Sequence, residues 1–239
     1  MPGVCEQAEL LIRLRDEIAG CSAAGLTTHP VIRTGWPGLD RVLPDGGVRR
    51  GAIVELLGTG AETVAAVLTR AVCRSPGVVV VVDPDGEFYP PALAAWDVSA
   101  ERLVVVRPAD DTDALWAADQ ALRSRAAAAV WLWRDRLAPH DGRRLQLSAA
   151  EGGGLGILLR PARARGQPSW ADVQLAVGSR PGLRGRRLRL EVTRCRRGVP
   201  GAVAEVELDD VTGFEREDDG HATTPVPAAT KLAGAAGAG

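Results

Sequence analysis

The spacing of apolar positions passes through five regimes along the chain. Between Cys5 and Gly20, the residues Leu10, Leu11, Leu14 and Ile18 recur among charges at helical intervals, which predicts an amphipathic helix. Residues 20–30, with Gly25 and Thr27-Thr28, read as a linker. From Ile32 onward, short apolar runs alternate with longer helical patterns. Strands are expected at 52–57, 77–83, 103–107, 129–133 and 155–159, and helices at 62–74, 88–96, 110–125 and about 141–150. The 77–83 run is almost pure valine, as in a strand covered on both faces. Pro90-Pro91 suit the first turn of a helix, and Asp110-Asp111 suit a helix N-terminus. Repeated strand–helix units predict an α/β fold, a mostly parallel, doubly wound sheet flanked by helices.

After Pro161 the pattern is strand only. Residues 171–177, 186–195 and 202–208 alternate, and Gly198-Val199-Pro200-Gly201 joins the last two as a hairpin, an antiparallel extension of the sheet. Beyond about Thr212 the Asp/Glu, Thr-Pro and Gly-Ala composition cannot bury a core, which predicts disorder. The expected organisation is 1–30 as helix and linker, 31–211 as core, and 212–239 as an acidic then Gly/Ala-rich tail.

Charge changes this picture locally. The 239 residues are 46% hydrophobic and 25% charged with a net charge of -1, so bulk charge draws the chain to neither nucleic acid nor a membrane. Yet eight arginines stand against one acid, Glu191, between Arg180 and Arg197, and eight acids stand against Arg216 between Glu205 and Asp219. Cys5, Cys21, Cys73 and Cys195, like His29, His140 and His221, are too scattered for a metal motif, so no metal site is expected and the thiols read as reduced. Charges interrupt the N-terminal apolar positions, and the run from Val78 to Val82 is far too short to span a bilayer. A cytoplasmic protein without membrane contact is expected.

The stretch Ile53-Val54-Glu55-Leu56-Leu57-Gly58-Thr59-Gly60-Ala61-Glu62-Thr63-Val64-Ala65 has the strand, glycines and following helix of a phosphate loop. Upstream lie Thr34-Gly35-Trp36-Pro37-Gly38-Leu39-Asp40 and Gly46-Gly47-Val48-Arg49-Arg50-Gly51. This order of elements resembles the prefix of RecA-type recombinases. Within that superfamily, Leu103–Pro108, the helix Asp113-Ala114-Leu115-Trp116-Ala117-Ala118-Asp119-Gln120-Ala121-Leu122-Arg123-Ser124, and Arg143 to Gly153 resemble the ImuA family, RecA-like accessory proteins of bacterial damage-induced mutagenesis. The resemblance covers about 31–208. It implies partnership with an ImuB-like polymerase homologue, an error-prone replicative-type polymerase and RecA in translesion synthesis during the SOS response.

Set against the recombinase loop without gaps, Val64 takes the lysine position and Ala65 that of the magnesium-binding hydroxyl. Phosphoryl transfer depends on both. A residual nucleotide site would comprise Gly58, Thr59, Gly60 and Thr63, with Asp85 near the catalytic carboxylate position, but Glu62 would repel phosphate. The expectation is a non-enzyme with no catalytic residue and no cofactor. A divergent DNA-dependent ATPase and a SulA-like division inhibitor are the alternatives. Arg184, Arg186, Arg187, Arg189, Arg194, Arg196 and Arg197 read as a solvated face, a protein-partner surface or a direct DNA contact. Alternation sets Arg187 and Arg189 opposite Leu188 and Leu190. No Phe or Tyr interleaves with them. Trp131 and Trp133 are expected in the core, and an exposed tryptophan elsewhere could anchor a partner. The acidic block reads as a solvated tail or as a screen over the arginines.

Overall fold

The computed structural model describes residues 30–182 and 185–209, and the compact unit they build begins at Val31. The expected N-terminal helix, Arg184 and the tail beyond 212 lie outside the described residues.

The chain opens with β1 (Val31–Ile32), which pairs antiparallel with β2 (Val48–Arg49). Between them α1 (Pro37–Val42) starts at Trp36. Asp40 explains the Thr-Gly prefix: one carboxylate oxygen accepts from both the Thr34 amide and its hydroxyl, each at 2.8 Å. That clasp buries Leu39 and Trp36, whose ring lies 5.9 Å from that of Trp96. Gly47 is required by close approach, since a Cβ there would stand 2.4 Å from the Ile32 carbonyl oxygen.

The main sheet takes the order β10-β9-β8-β3-β7-β6-β4-β5. Six neighbours are parallel: β8 (Val173–Pro181), β3 (Ile53–Leu57), β7 (Leu155–Arg160), β6 (Ala127–Trp133), β4 (Val78–Val82) and β5 (Leu103–Val106). β9 (Gly185–Cys195) and β10 (Val203–Asp209) add antiparallel. The expected antiparallel extension therefore begins one strand later than its pattern suggests. β8 is parallel to β3 on one side and antiparallel to β9 on the other.

The central runs are apolar throughout because helices cover both faces. On one face α2 (Ala61–Val72) packs Val64, Ala65 and Leu68 against Val54, Leu56, Val79, Val81 and Trp131. On the other, α4 (Asp111–Arg123) and α5 (Pro139–Gly152) set Ala114, Leu122 and Leu145 against Ile53, Val82, Val130 and Leu158. Asp110 caps α4, its carboxylate accepting from the Thr112 and Asp113 amides at 2.8 Å.

One expected helix is much shorter. In place of 88–96 there is a single turn, α3 (Pro91–Ala94). Asp83 holds the preceding segment as a loop by accepting from the Glu87 and Phe88 amides, the prolines remove two amide donors, and Asp97 turns to a φ of 58° just after.

The two helices of the second face meet where α5 ends. A Cβ on Gly152 would lie 2.0 Å from the Leu122 carbonyl oxygen, which is backbone and cannot swing away. Gly152→Ala is expected to lower stability by about 1–3 kcal/mol in urea unfolding.

Candidate functional site

Strands β3, β7, β6 and β4 end at one edge, where connections leave in opposite directions, the usual place for a ligand crevice in an open parallel sheet. A cleft of about 800 Å³ opens there, lined by Gly58, Glu62, Asp85, Asp111, Trp133, Arg134, Arg136, Arg160 and Arg163 among others.

The glycine turn after β3 is tight. Gly58 and Gly60 have φ of 97° and 88°, and their Cβ positions would fall 2.7 Å from the Val177 carbonyl oxygen and 2.9 Å from Leu188 Cδ2. The turn is thus pressed against β8 and β9. It uses its own amides: Gly58 donates to Arg160 O at 3.1 Å, Ala61 to Gly58 O and Val64 to Gly60 O, both at 3.3 Å. Thr59 Oγ1 accepts from the Ser179 amide at 3.2 Å. Because α2 already begins at Ala61, Val64 and Ala65 lie inside it, both fully excluded from solvent in the apolar layer. The position matched to lysine therefore points into the core. Glu62 and Asp85 are exposed and line the cleft, and Thr63 Oγ1 accepts from Arg186 at 3.4 Å. Gly58 and Asp85 thus share one cleft, while Thr59 and Gly60 turn toward β8 and β9.

The floor is ionic. Arg160 and Glu55 pair at 2.5 Å, each side chain 1% exposed. Arg160 also donates to the Arg134 and Asp135 carbonyls at 3.2 and 3.0 Å and to Gln167 Oε1, while Ser169 donates to the other Glu55 oxygen. Arg134 pairs with Asp111, and Arg163 with Asp135. Neither Glu55 nor Arg160 was expected to play a role. The available signal was Glu55, a charge inside an otherwise apolar strand and a placement tolerated only when paired; Arg160, one position past the strand expected over 155–159, carried no such mark. Beside this cleft a second one, about 390 Å³, has a wall of Phe88, Trp96, Trp131 and Trp133 and a rim of Glu62, Asp83, Asp85 and Glu87. Trp131 is buried, as expected, and Trp133 packs half-buried against it with centroids 5.7 Å apart.

The structure divides the arginine cluster. Arg186 faces the second cleft. Arg187 pairs with Glu205 and Glu207 at 3.5 and 3.4 Å, and Arg189 approaches Glu191 at 4.0 Å. The first two acids of the block, Glu205 and Glu207, thus lie inside β10 and pair with Arg187, while the acids beyond 209 lie outside the described residues. Arg194 donates to Ser169 O at 3.1 Å, Arg196 lies over the Trp170 ring at 5.7 Å, and Arg197 is exposed. An aromatic does join the cluster, from the segment before β8. Asp172, which anchors that segment by accepting from the Ile53 amide at 2.9 Å, has its carboxyl pushed up by burial against the pull of that bond and of Arg196 and Arg197. Among the described residues no group of His, Cys, Asp and Glu could hold a metal ion, and no helix is long and apolar enough to cross a membrane.

The chain is 32% identical over 201 residues to the protein ImuA of Caulobacter vibrioides (strain NA1000 / CB15N), a match covering 73% of this chain and 82% of that protein. It is 38% identical over 84 residues to the protein RecA of Picosynechococcus sp., covering 34% of this chain and 24% of that one. The crystal structure of the RadB recombinase superposes with a TM-score of 0.61 at 16% identity, over 78% of this chain and all of that one, a likeness of fold. No protein-family model matches the chain.

Removing Arg160 leaves Glu55 charged and unpaired in the interior. Arg160→Ala is expected to cost about 3–5 kcal/mol in urea unfolding, and a Glu55→Leu/Arg160→Met pair markedly less. Equal losses would show that the pair itself, not the orphaned charge, sets the cost.

Proposed function

The chain belongs to the ImuA family of RecA-like proteins, and from that premise we propose that it is a non-catalytic accessory protein of damage-induced mutagenesis. In this reading it works in the cytoplasm during the SOS response and makes or breaks no bond. Its surfaces recruit an ImuB-like polymerase homologue and an error-prone replicative-type polymerase to damaged or RecA-coated DNA for translesion synthesis. Direct DNA contact through its arginines belongs to the same proposal.

The observation that carries the non-catalytic part is the burial of Val64 and Ala65 in the apolar layer under α2. A phosphate-binding lysine must reach out of the loop toward the β- and γ-phosphates, and here that position is occupied by a core side chain. Glu62 in the first turn of α2 adds negative charge where phosphate would sit. A second reading, a divergent DNA-dependent ATPase, draws its support from the open cleft and from Asp85 at its rim. The SulA-like division inhibitor has no observation in its favour.

A strain lacking this gene is expected to lose ultraviolet-induced mutation while homologous recombination proceeds normally, and the wild-type gene should restore it. Unchanged induced mutation frequency would contradict the proposal.

A further inference from the structure

Four arginines, Arg143, Arg194, Arg196 and Arg197, gather at one end of the sheet with a single carboxylate among the described residues, Asp172, in ion-pair contact with any of them. Trp170, 38% exposed, lies where the segment before β8 crosses α5. Its ring seats on Gly142, where a Cβ would meet Trp170 Cδ1 at 3.2 Å. Arg143 and Arg196 lie over the ring at 5.2 and 5.7 Å from its centroid. Both donate to one oxygen, Gln146 Oε1, the second at 3.2 Å, and Gln146 is only 6% exposed. Two guanidiniums thus converge on a neutral, buried acceptor beside an exposed indole. Arg194 and Arg197 flank them, and the carboxylate facing this group is Asp172, 3.9 Å from Arg196 and already bound to the Ile53 amide. Trp and Arg are the residues that concentrate binding energy at protein interfaces, and paired guanidiniums suit carboxylates.

The chain carries a segment of matching chemistry. Asp209-Asp210-Val211-Thr212-Gly213-Phe214-Glu215-Arg216-Glu217-Asp218-Asp219 sets one aromatic among six acids. Its own root is a poor place for it to dock. There Arg187 is held by Glu205 and Glu207, and Arg186 shares its cleft with Glu62, Asp83, Asp85 and Glu87. The Trp170 platform is at the far end: Asp209 stands opposite Gly185, and Arg196 follows Cys195 at the other end of an 11-residue strand. At ~3.4 Å per residue that separation is about 35 Å. Five residues span at most about 18 Å of backbone from Asp209 to Phe214, about half the distance a contact within one chain would need.

We propose that the platform of Trp170, Arg143 and Arg196 receives the acidic segment 210–219 of a second copy of this chain, with Phe214 against Trp170 and the carboxylates on the guanidiniums. The contact is head-to-tail, so each copy offers one platform and one segment. This inference goes beyond the functional reading above and does not depend on it, because self-association and induced mutation are scored in separate experiments.

The test is sedimentation velocity of the full chain across a concentration series at low and high salt, with a synthetic peptide of residues 209–221 as competitor. The mean mass is expected to rise with concentration at low salt, to fall back toward monomer at high salt, and to be lowered by the peptide. Trp170→Ala, Arg143→Ala/Arg196→Ala and Phe214→Ala should each weaken association at least about tenfold, with circular dichroism unchanged. Arg187→Ala/Arg189→Ala should leave it intact. A chain that stays monomeric throughout would overturn the proposal. So would association insensitive to Trp170→Ala, or equal competition by a scrambled peptide or a single-stranded oligonucleotide of the same charge.

Discussion

Glu55 and Arg160 face each other 2.5 Å apart with almost no solvent on either side, and the carboxyl edge of the sheet is organised around that pair. A buried charge without a partner is far more costly than one with it, so the two strands that carry these residues must be neighbours in one register. They are: β3 and β7 run parallel with Glu55 beside Leu158 and Leu57 beside Arg160. The remaining donors of Arg160 then tie down the segment after β6 through two carbonyls, and Ser169 brings in the approach to β8. One ion pair thereby places the ends of three strands and the beginning of a fourth.

The glycine turn inherits its shape from this arrangement. Its first amide is bound to the Arg160 carbonyl, and β8 and β9 press on both glycines. A turn so confined passes directly into helix at Ala61, and two positions that a phosphate-binding loop would keep available become core. The cleft above is bordered by four arginines; Arg134, Arg160 and Arg163 are each matched to a carboxylate, and Arg136 is exposed at its edge. Within a RecA-like frame, the glycine turn and the paired arginines hold the carboxyl edge of the sheet together.

The strand–helix alternation, the valine run at β4 and the period-two strands after Pro161 were legible in the sequence because burial on one or two faces writes itself directly into residue choice. The clasp of Thr34 and Asp40 accounts for a motif that could be read only as a resemblance. What could not be read were relations between distant segments. Arg160 and Glu55 are 105 positions apart, and nothing local marks them as partners. The arginines in and just after β9 are adjacent in sequence, yet their neighbours in space differ: β10 acids for Arg187, the second cleft for Arg186, and Trp170 for Arg196. The helix expected over 88–96 shortens to α3 because the turn-forming Asp83 lies outside the window whose apolar spacing predicts it.

The most direct test of this account is steady-state ATP hydrolysis by the full chain with magnesium, with and without single-stranded DNA. With Val64 buried where a lysine would act, turnover should not exceed background under either condition. DNA-stimulated hydrolysis that disappears on Asp85→Ala would contradict it and establish the cleft as a working nucleotide site.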